Sequence, residues 1–160
     1  MITISYQQKK NLITLANGLM KNRNKREARF TMACFADAGQ HNIVGDPYLT
    51  ECGSVGCAVG HAPYYGITKM YGEGWDGYSY RTLIPIFNAD TGVLIDDRAW
   101  RWCFSGEWTN LDDSKKGAAQ RIMYFLQYGL PDKWDDVSER DVKLYQNIKG
   151  FCPQWLKENT

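Results

Sequence analysis

The clearest helix of this chain lies in residues 114–131, which read SKKGAAQRIMYFLQYGLP. Its apolar residues recur every three or four positions, the spacing that places them on one helix face: Ala118, Ile122, Phe125 and Leu126. Gly129 suits a left-handed residue after the last turn, Leu130 suits the apolar contact that follows it, and Pro131 prevents continuation. The pattern predicts a helix from Ser114 to Tyr128.

A second helix is predicted near the N-terminus. Ser5 and Gln8 have the spacing of a capping box, in which each side chain bonds the backbone of the other residue. Apolar residues then recur at helical spacing: Leu12, Leu15, Ala16 and Leu19. We expect a helix over residues 6–21 that packs against the helix at 114–128.

Length and composition predict one folded domain over residues 1–160. The chain is 44% hydrophobic and contains six Trp and ten Tyr, which is enough apolar surface for a core. We expect a mainly α, single compact helical domain with a few short strands or extended segments. Residues 30–36 are one such segment, either a buried strand or an extended connection. Residues 132–160 are expected to form an appended C-terminal helix.

The net charge and the cysteine content indicate which kinds of binding partner and which cellular compartment to expect for this chain. Nineteen basic and eighteen acidic residues give a net charge of +1, so the chain lacks a global electrostatic footprint for nucleic acid. No apolar run approaches the roughly 20 residues that span a bilayer, and the N-terminus does not resemble a secretory signal. Five cysteines are then expected to be reduced thiols in a cytoplasm.

Residues 52–63, which read CGSVGCAVGHAP, concentrate reactive and small side chains. We expect a helix that opens at Ser54, whose hydroxyl can cap it, and that stops at Pro63. Cys57 and His61 would then share one helix face.

Three roles fit this signature segment: a structural role, zinc binding and nucleophilic catalysis. The sequence favours the structural role. The glycines let another backbone approach closely, while the cysteines act as small buried apolar groups. Zinc binding would use Cys52, Cys57 and His61 with a fourth ligand from His41, Cys34 or Cys103. Nucleophilic catalysis would use Cys57 or Cys52 with His61 as base.

The segment resembles a largely uncharacterised family of small bacterial and phage proteins. Those proteins share Cys-Gly-Thr/Ser, two residues, Cys, two residues, Gly, then His or Trp, and Ser54 stands here for the more usual Thr. Phe30-Thr31-Met32 and the aromatic and Ala-rich stretches that follow extend the likeness over residues 5–131. The resemblance implies a phage or bacterial accessory protein and carries no established catalytic role.

Residues 99–108, AWRWCFSGEW, place their large aromatics at even positions, which would share one face of a strand or spread around a helix. Aromatic rings beside arginines suit nucleotide bases and phosphates, although large aromatics also fill cores. The chain has neither a phosphate loop nor a dinucleotide fingerprint. We expect ligand contacts from the following residues: Cys52, Ser54, Cys57, His61, Arg101, Trp102, Trp108 and Arg121.

The sequence favours a non-enzymatic accessory binding protein without cofactor or metal. It would antagonise host defence by sequestering a nucleotide-derived signal or by occupying a host protein. The alternative is a small hydrolase of a nucleotide or acyl substrate that depends on Cys57 or Cys52 with His61. A third hypothesis is a zinc-stabilised interaction module.

Overall fold

The described part of the chain is mainly helical, which confirms the predicted fold class. A computed structural model describes residues 3–21, 29–32, 36–37, 55–131 and 134. The α-helices there are α1 (Tyr6–Met20), α2 (Ala58–His61), α3 (Trp75–Thr82), α4 (Arg98–Phe104) and α5 (Lys115–Tyr128), and 3-10 helices run over Ala62–Tyr65 and Gly106–Asn110. The predicted C-terminal helix beyond Trp134 lies outside these residues. None of the described helices is long and apolar enough to span a bilayer.

Helix α1 begins as its sequence predicts. Ser5 Oγ accepts a hydrogen bond from the Gln8 amide at 3.1 Å, and Gln8 Oε1 accepts one from the Ser5 amide at 2.9 Å. This capping box satisfies two of the amides that every helix start leaves without helical partners. The helix buries the predicted apolar stripe: Leu12, Leu15, Ala16 and Leu19.

Helix α5 packs against α1, as expected, and together they form the centre of the core. Ser114 caps α5 by accepting a hydrogen bond from the Gly117 amide at 2.9 Å. At the other end Gly129 has the expected positive φ of 76°, but its ψ of −158° is extended and not left-handed helical. Glycine adopts this backbone region because it has no Cβ. The chain therefore leaves α5 extended towards Leu130.

Three two-residue strands form a small sheet beside the helices. They are β1 (Arg29–Phe30), β2 (Ala36–Asp37) and β3 (Val55–Gly56), in the order β1-β3-β2. Strand β3 is parallel to β1 and antiparallel to β2. Both Phe30 and Ala36, the ends of the predicted extended segment, thus pair in the sheet. The sheet places Phe30 beside Gly56 of the signature segment.

The helix in the signature segment starts later than predicted, whereas its α-helical part ends at His61, before Pro63, as expected. The segment does not open a helix at Ser54, because Val55 and Gly56 pair as strand β3 and α2 begins after Cys57. Beyond His61 the chain continues through Pro63 as a 3-10 helix to Tyr65 and ends at Gly66 with φ 86°. Proline fits here because the first turn of a helix does not need its missing amide.

Gly66, Gly72, Gly74 and Gly77 indicate an irregular segment over residues 64–80, and here too the structure differs. Helix α3 begins at Trp75 within this range. Its glycine, Gly77, weakens the intrinsic helical signal. The fully buried Tyr78 anchors the helix by donating a hydrogen bond from its hydroxyl to the Ile67 carbonyl at 2.6 Å. Tertiary packing therefore decides this helix.

Asp113 connects the sheet to α5. Its carboxylate accepts hydrogen bonds from the Thr31 hydroxyl, at 2.9 Å to Oδ2, and from the Met32 amide. Asp112 and Asp113 precede α5, where acidic side chains favour the helix dipole, whereas the cap itself is Ser114. Asp113 thus fixes the chain after β1 against the beginning of α5.

Candidate functional site

A cavity of about 570 Å³ lies where the start of α1, the start of α4 and the end of α5 meet. We call it the terminal cavity. Because residues at the start of α1 and at the end of α5 both line it, the two helices run in opposite directions past each other. Its lining residues are Ile4, Lys9, Asp96, Arg98, Ala99, Phe125, Leu126, Gly129 and Leu130.

The wall of the terminal cavity is mostly apolar. Phe125, Leu126 and Leu130 are partly buried and continue the core, while Ala99 is buried at the start of α4. The extended backbone at Gly129 adds no side chain to the space. Concave sites with apolar walls and a few polar groups are the usual binding sites for small molecules.

Three of the described residues that line the terminal cavity are charged, and two of them, Asp96 and Arg98, neutralise each other. Arg98 donates from Nη2 to Asp96 Oδ2 at 2.8 Å and from Nε to both carboxylate oxygens at 3.1 Å. The Arg98 guanidinium lowers the pKa of the Asp96 carboxyl from its ordinary value. Lys9 is exposed and has no ion pair among the described residues. The lining therefore carries one cationic charge that its own carboxylate does not offset.

The signature residues within the described part of the chain lie in the core, away from this cavity. Cys57 is 1% exposed and His61 is fully buried. His61 Nδ1 lies 2.9 Å from the Cys57 carbonyl oxygen and donates to it, since a carbonyl only accepts. The imidazole also packs against Phe30 and Tyr64, with ring centroids 5.4 and 5.9 Å apart.

Through these contacts His61 joins β1, α2 and the 3-10 helix Ala62–Tyr65. The zinc hypothesis and the Cys52 form of the hydrolase hypothesis need residues outside the described ranges, since Cys52, Cys34 and His41 lie there, as does Ser54. Within the described ranges, no three His, Cys, Asp or Glu side chains group as metal ligands do. A role of Cys52 or Ser54 in ligand binding stays a prediction.

The aromatic and arginine candidates do come together, in the contact between α4 and α5. Arg121 is fully buried, and its guanidinium lies 4.3 Å from the ring centroid of the equally buried Trp108. Trp102 donates from its indole nitrogen to the Arg121 carbonyl at 2.9 Å, and Trp108 donates to the Arg101 carbonyl at 3.2 Å. The rings of Trp102 and Trp108 meet edge to face at 5.5 Å.

This cluster supports the core, and none of its members lines the terminal cavity. The indole donors of Trp102 and Trp108 are satisfied by carbonyls, and the Arg121 guanidinium stacks on the Trp108 ring and donates to the Asp112 carbonyl at 3.5 Å. Arg101, which is partly exposed, forms an ion pair with Asp97 at 3.3 Å. Ligand binding by this cluster stays a prediction.

The buried Cys103 lies in the same region. Burial raises the pKa of its thiol well above the ordinary value of 9.0, an effect that the Arg121 charge opposes. Cys103 is fully buried, and a buried thiol packs as a small apolar group. The geometry therefore gives Cys103 a packing role.

Sequence reasoning missed the terminal cavity. One signal was available, because the predicted apolar face of α5 includes Phe125 and Leu126 and continues past the helix to Leu130. Ile4 lies just before the capping box of α1, where an apolar residue also covers the helix start. Only the antiparallel packing of α1 and α5 shows that these ends meet around an open space.

No family model, curated protein or solved structure matches this chain. The resemblance to small bacterial and phage proteins stays a prediction. Function is therefore inferred from the site itself.

Proposed function

We propose that this chain is a non-enzymatic binding protein whose ligand is a small, mainly apolar molecule held in the terminal cavity. The observation that carries the proposal is the cavity itself. Its volume of about 570 Å³ falls within the roughly 300–1,000 Å³ typical of small-molecule sites. A bound apolar group would contact Phe125, Leu126 and Leu130 instead of water.

The chemistry of the lining supports an apolar ligand over a nucleotide. Burying each methylene group contributes about 0.8 kcal/mol, so a short alkyl chain gains substantially from such a wall. A nucleotide base and sugar need several hydrogen-bonding groups, whereas the polar lining consists of the Asp96–Arg98 pair and Lys9. The lining therefore does not favour sequestration of a nucleotide-derived signal. The test below distinguishes a nucleotide from an apolar ligand.

The resemblance noted in the sequence supplies the biological setting of this proposal. A phage or bacterial accessory protein that sequesters a small molecule would antagonise host defence by removing a signal. Binding without turnover is sufficient for that role.

Cavity filling tests the proposal directly. Leu126→Trp adds volume to the cavity wall, and Gln127→Trp places the same side chain at an exposed neighbouring position outside the lining. We expect 1-octanol to bind saturably to the wild type and to Gln127→Trp in isothermal titration calorimetry. The Leu126→Trp variant should bind at least about tenfold more weakly, a loss of about 1.4 kcal/mol.

Circular dichroism of both variants checks that they are folded. Absence of saturable binding to the wild type, or equal binding to Leu126→Trp, would refute the proposal. Small molecules retained by the folded protein from a cell extract can then be released by heat and identified by mass spectrometry. Recovery of an intact nucleotide would contradict an apolar ligand, and recovery of altered molecules would indicate an enzyme.

A further inference from the structure

We infer that the ligand of the terminal cavity is an anionic amphiphile, an alkyl or aryl carboxylate whose acid group pairs with Lys9. This inference rests on the proposed function and assigns its ligand class. It follows from the charges around the apolar wall of the cavity. Asp96 and Arg98 neutralise each other, whereas Lys9 is a cation without an ion pair among the described residues.

Among the described residues that line the cavity, Asp96 supplies the one carboxylate, and it is already bonded. Both oxygens of Asp96 accept from the Arg98 guanidinium, and Oδ1 also accepts from the Arg98 amide at 3.0 Å. A cationic ligand would have to displace Arg98 from these bonds and lie near the positive charge of Lys9. The Asp96–Arg98 pair thus selects against cations.

Lys9 provides a matching charge for an anion. It lines the cavity together with Ile4, at the end of α1 that faces Leu130. The four methylenes of a lysine stem can lie along an apolar wall while the ammonium stays in water. A carboxylate at the cavity mouth would meet that ammonium while its apolar part contacts Phe125 and Leu126.

A neutral ligand would use the apolar wall and gain nothing from Lys9. The carboxylate advantage is modest, because the ammonium is exposed. An exposed ion pair contributes little to affinity, so we expect about twofold to fivefold tighter binding of a carboxylate than of the alcohol with the same chain.

Three probes of equal chain length test the inference at pH 7: octanoate, 1-octanol and octylammonium. The wild type should prefer octanoate to 1-octanol and bind octylammonium most weakly. Lys9→Gln should abolish the preference for octanoate over 1-octanol. Lys10→Gln is the matched control, since Lys10 is exposed on the same helix and does not line the cavity.

Ionic strength gives a second readout. Raising it from about 0.01 M to about 1 M shortens the Debye length from about 30 Å to about 3 Å, so octanoate should lose its advantage. Equal affinity of the wild type for octanoate and 1-octanol, or an unchanged preference in Lys9→Gln, would overturn the inference and leave the proposed function standing. If no probe binds, the proposed function itself fails.

Discussion

Replacing Gly18 with alanine tests how the signature segment is held against α1. A Cβ added at Gly18 would lie 2.5 Å from Cγ and Cδ1 of Tyr65 and 2.6 Å from Cδ2. Carbon atoms normally approach to about 3.5–4.0 Å, so the ring would have to move by about 1 Å. Tyr65 ends the 3-10 helix that follows the signature segment, and the missing side chain of Gly18 creates the space for its ring.

The two energies that oppose each other in this substitution can be compared. Alanine is favoured over glycine inside a helix by about 1 kcal/mol, whereas overpacking costs about 1–3 kcal/mol. Three ring atoms are approached at once, which favours the upper part of that range. We expect Gly18→Ala to lower the free energy of unfolding by about 1–2 kcal/mol, a sizeable fraction of a typical 5–15 kcal/mol.

Gly77 provides the matched control. It lies within α3, and a Cβ added there would meet no atom within 4 Å. Gly77→Ala should therefore raise the free energy of unfolding by about 0.5–1 kcal/mol through helix propensity alone. The same chemical change should thus have opposite signs at the two positions.

Urea unfolding measures both effects as shifts of the midpoint at an unchanged slope. A double-mutant cycle isolates the contact, because Gly18→Ala should become stabilising when Tyr65→Ala has removed the ring. A higher midpoint for Gly18→Ala in the wild-type background would show that the Tyr65 ring does not pack on Gly18. The reasoning would then be wrong.

Three further predictions concern single side chains of the core and its joints. Burial raises the pKa of the Cys103 thiol above 9.0, so the protonated thiol stabilises the fold fully below pH 9 and less above it. In urea titrations, the difference in unfolding free energy between wild type and Cys103→Ala should therefore become smaller from pH 7 to pH 10. A difference that stays constant would contradict this. Asp113→Ala should cost about 1–2 kcal/mol and speed hydrogen exchange at the Met32 amide, because it removes the acceptor of that amide, with Asp113→Asn costing less. Arg121→Ala should cost about 2–4 kcal/mol in urea unfolding through lost stacking on Trp108 and an unfilled volume, and Arg121→Met should cost less because it retains the stem.

The elements that the sequence predicted correctly depend on local chemistry. The bond between Ser5 and Gln8 joins residues three apart, and the Ser114 cap likewise uses an amide three residues later. Such bonds form wherever the chain turns into a helix. Gly129 shows the limit of this reasoning, because its positive φ was predictable whereas its extended ψ depends on where the chain goes next.

The elements that the sequence predicted wrongly depend on contacts with residues distant in the chain. Ser54 carries a helix-starting signal, yet the adjacent Val55 and Gly56 pair with strands that begin at Arg29 and Ala36. Tyr78 makes α3 stable through a hydrogen bond to a carbonyl eleven residues away. Intrinsic propensity differs by less than about 1 kcal/mol between most residues, so one long-range contact of this kind decides the outcome.

By itself, the amino-acid sequence determined that this chain is mainly α, where α1 and α5 lie, and that their apolar faces meet. These properties follow from helical periodicity and from caps, which act within a few residues. The sequence also favoured a core role for Cys57, and the structure buries both Cys57 and His61. Only the tertiary structure decided that an apolar cavity with Lys9 beside it opens at the helix ends. Burial and cavities depend on which surfaces meet in space, and packing of distant segments sets both.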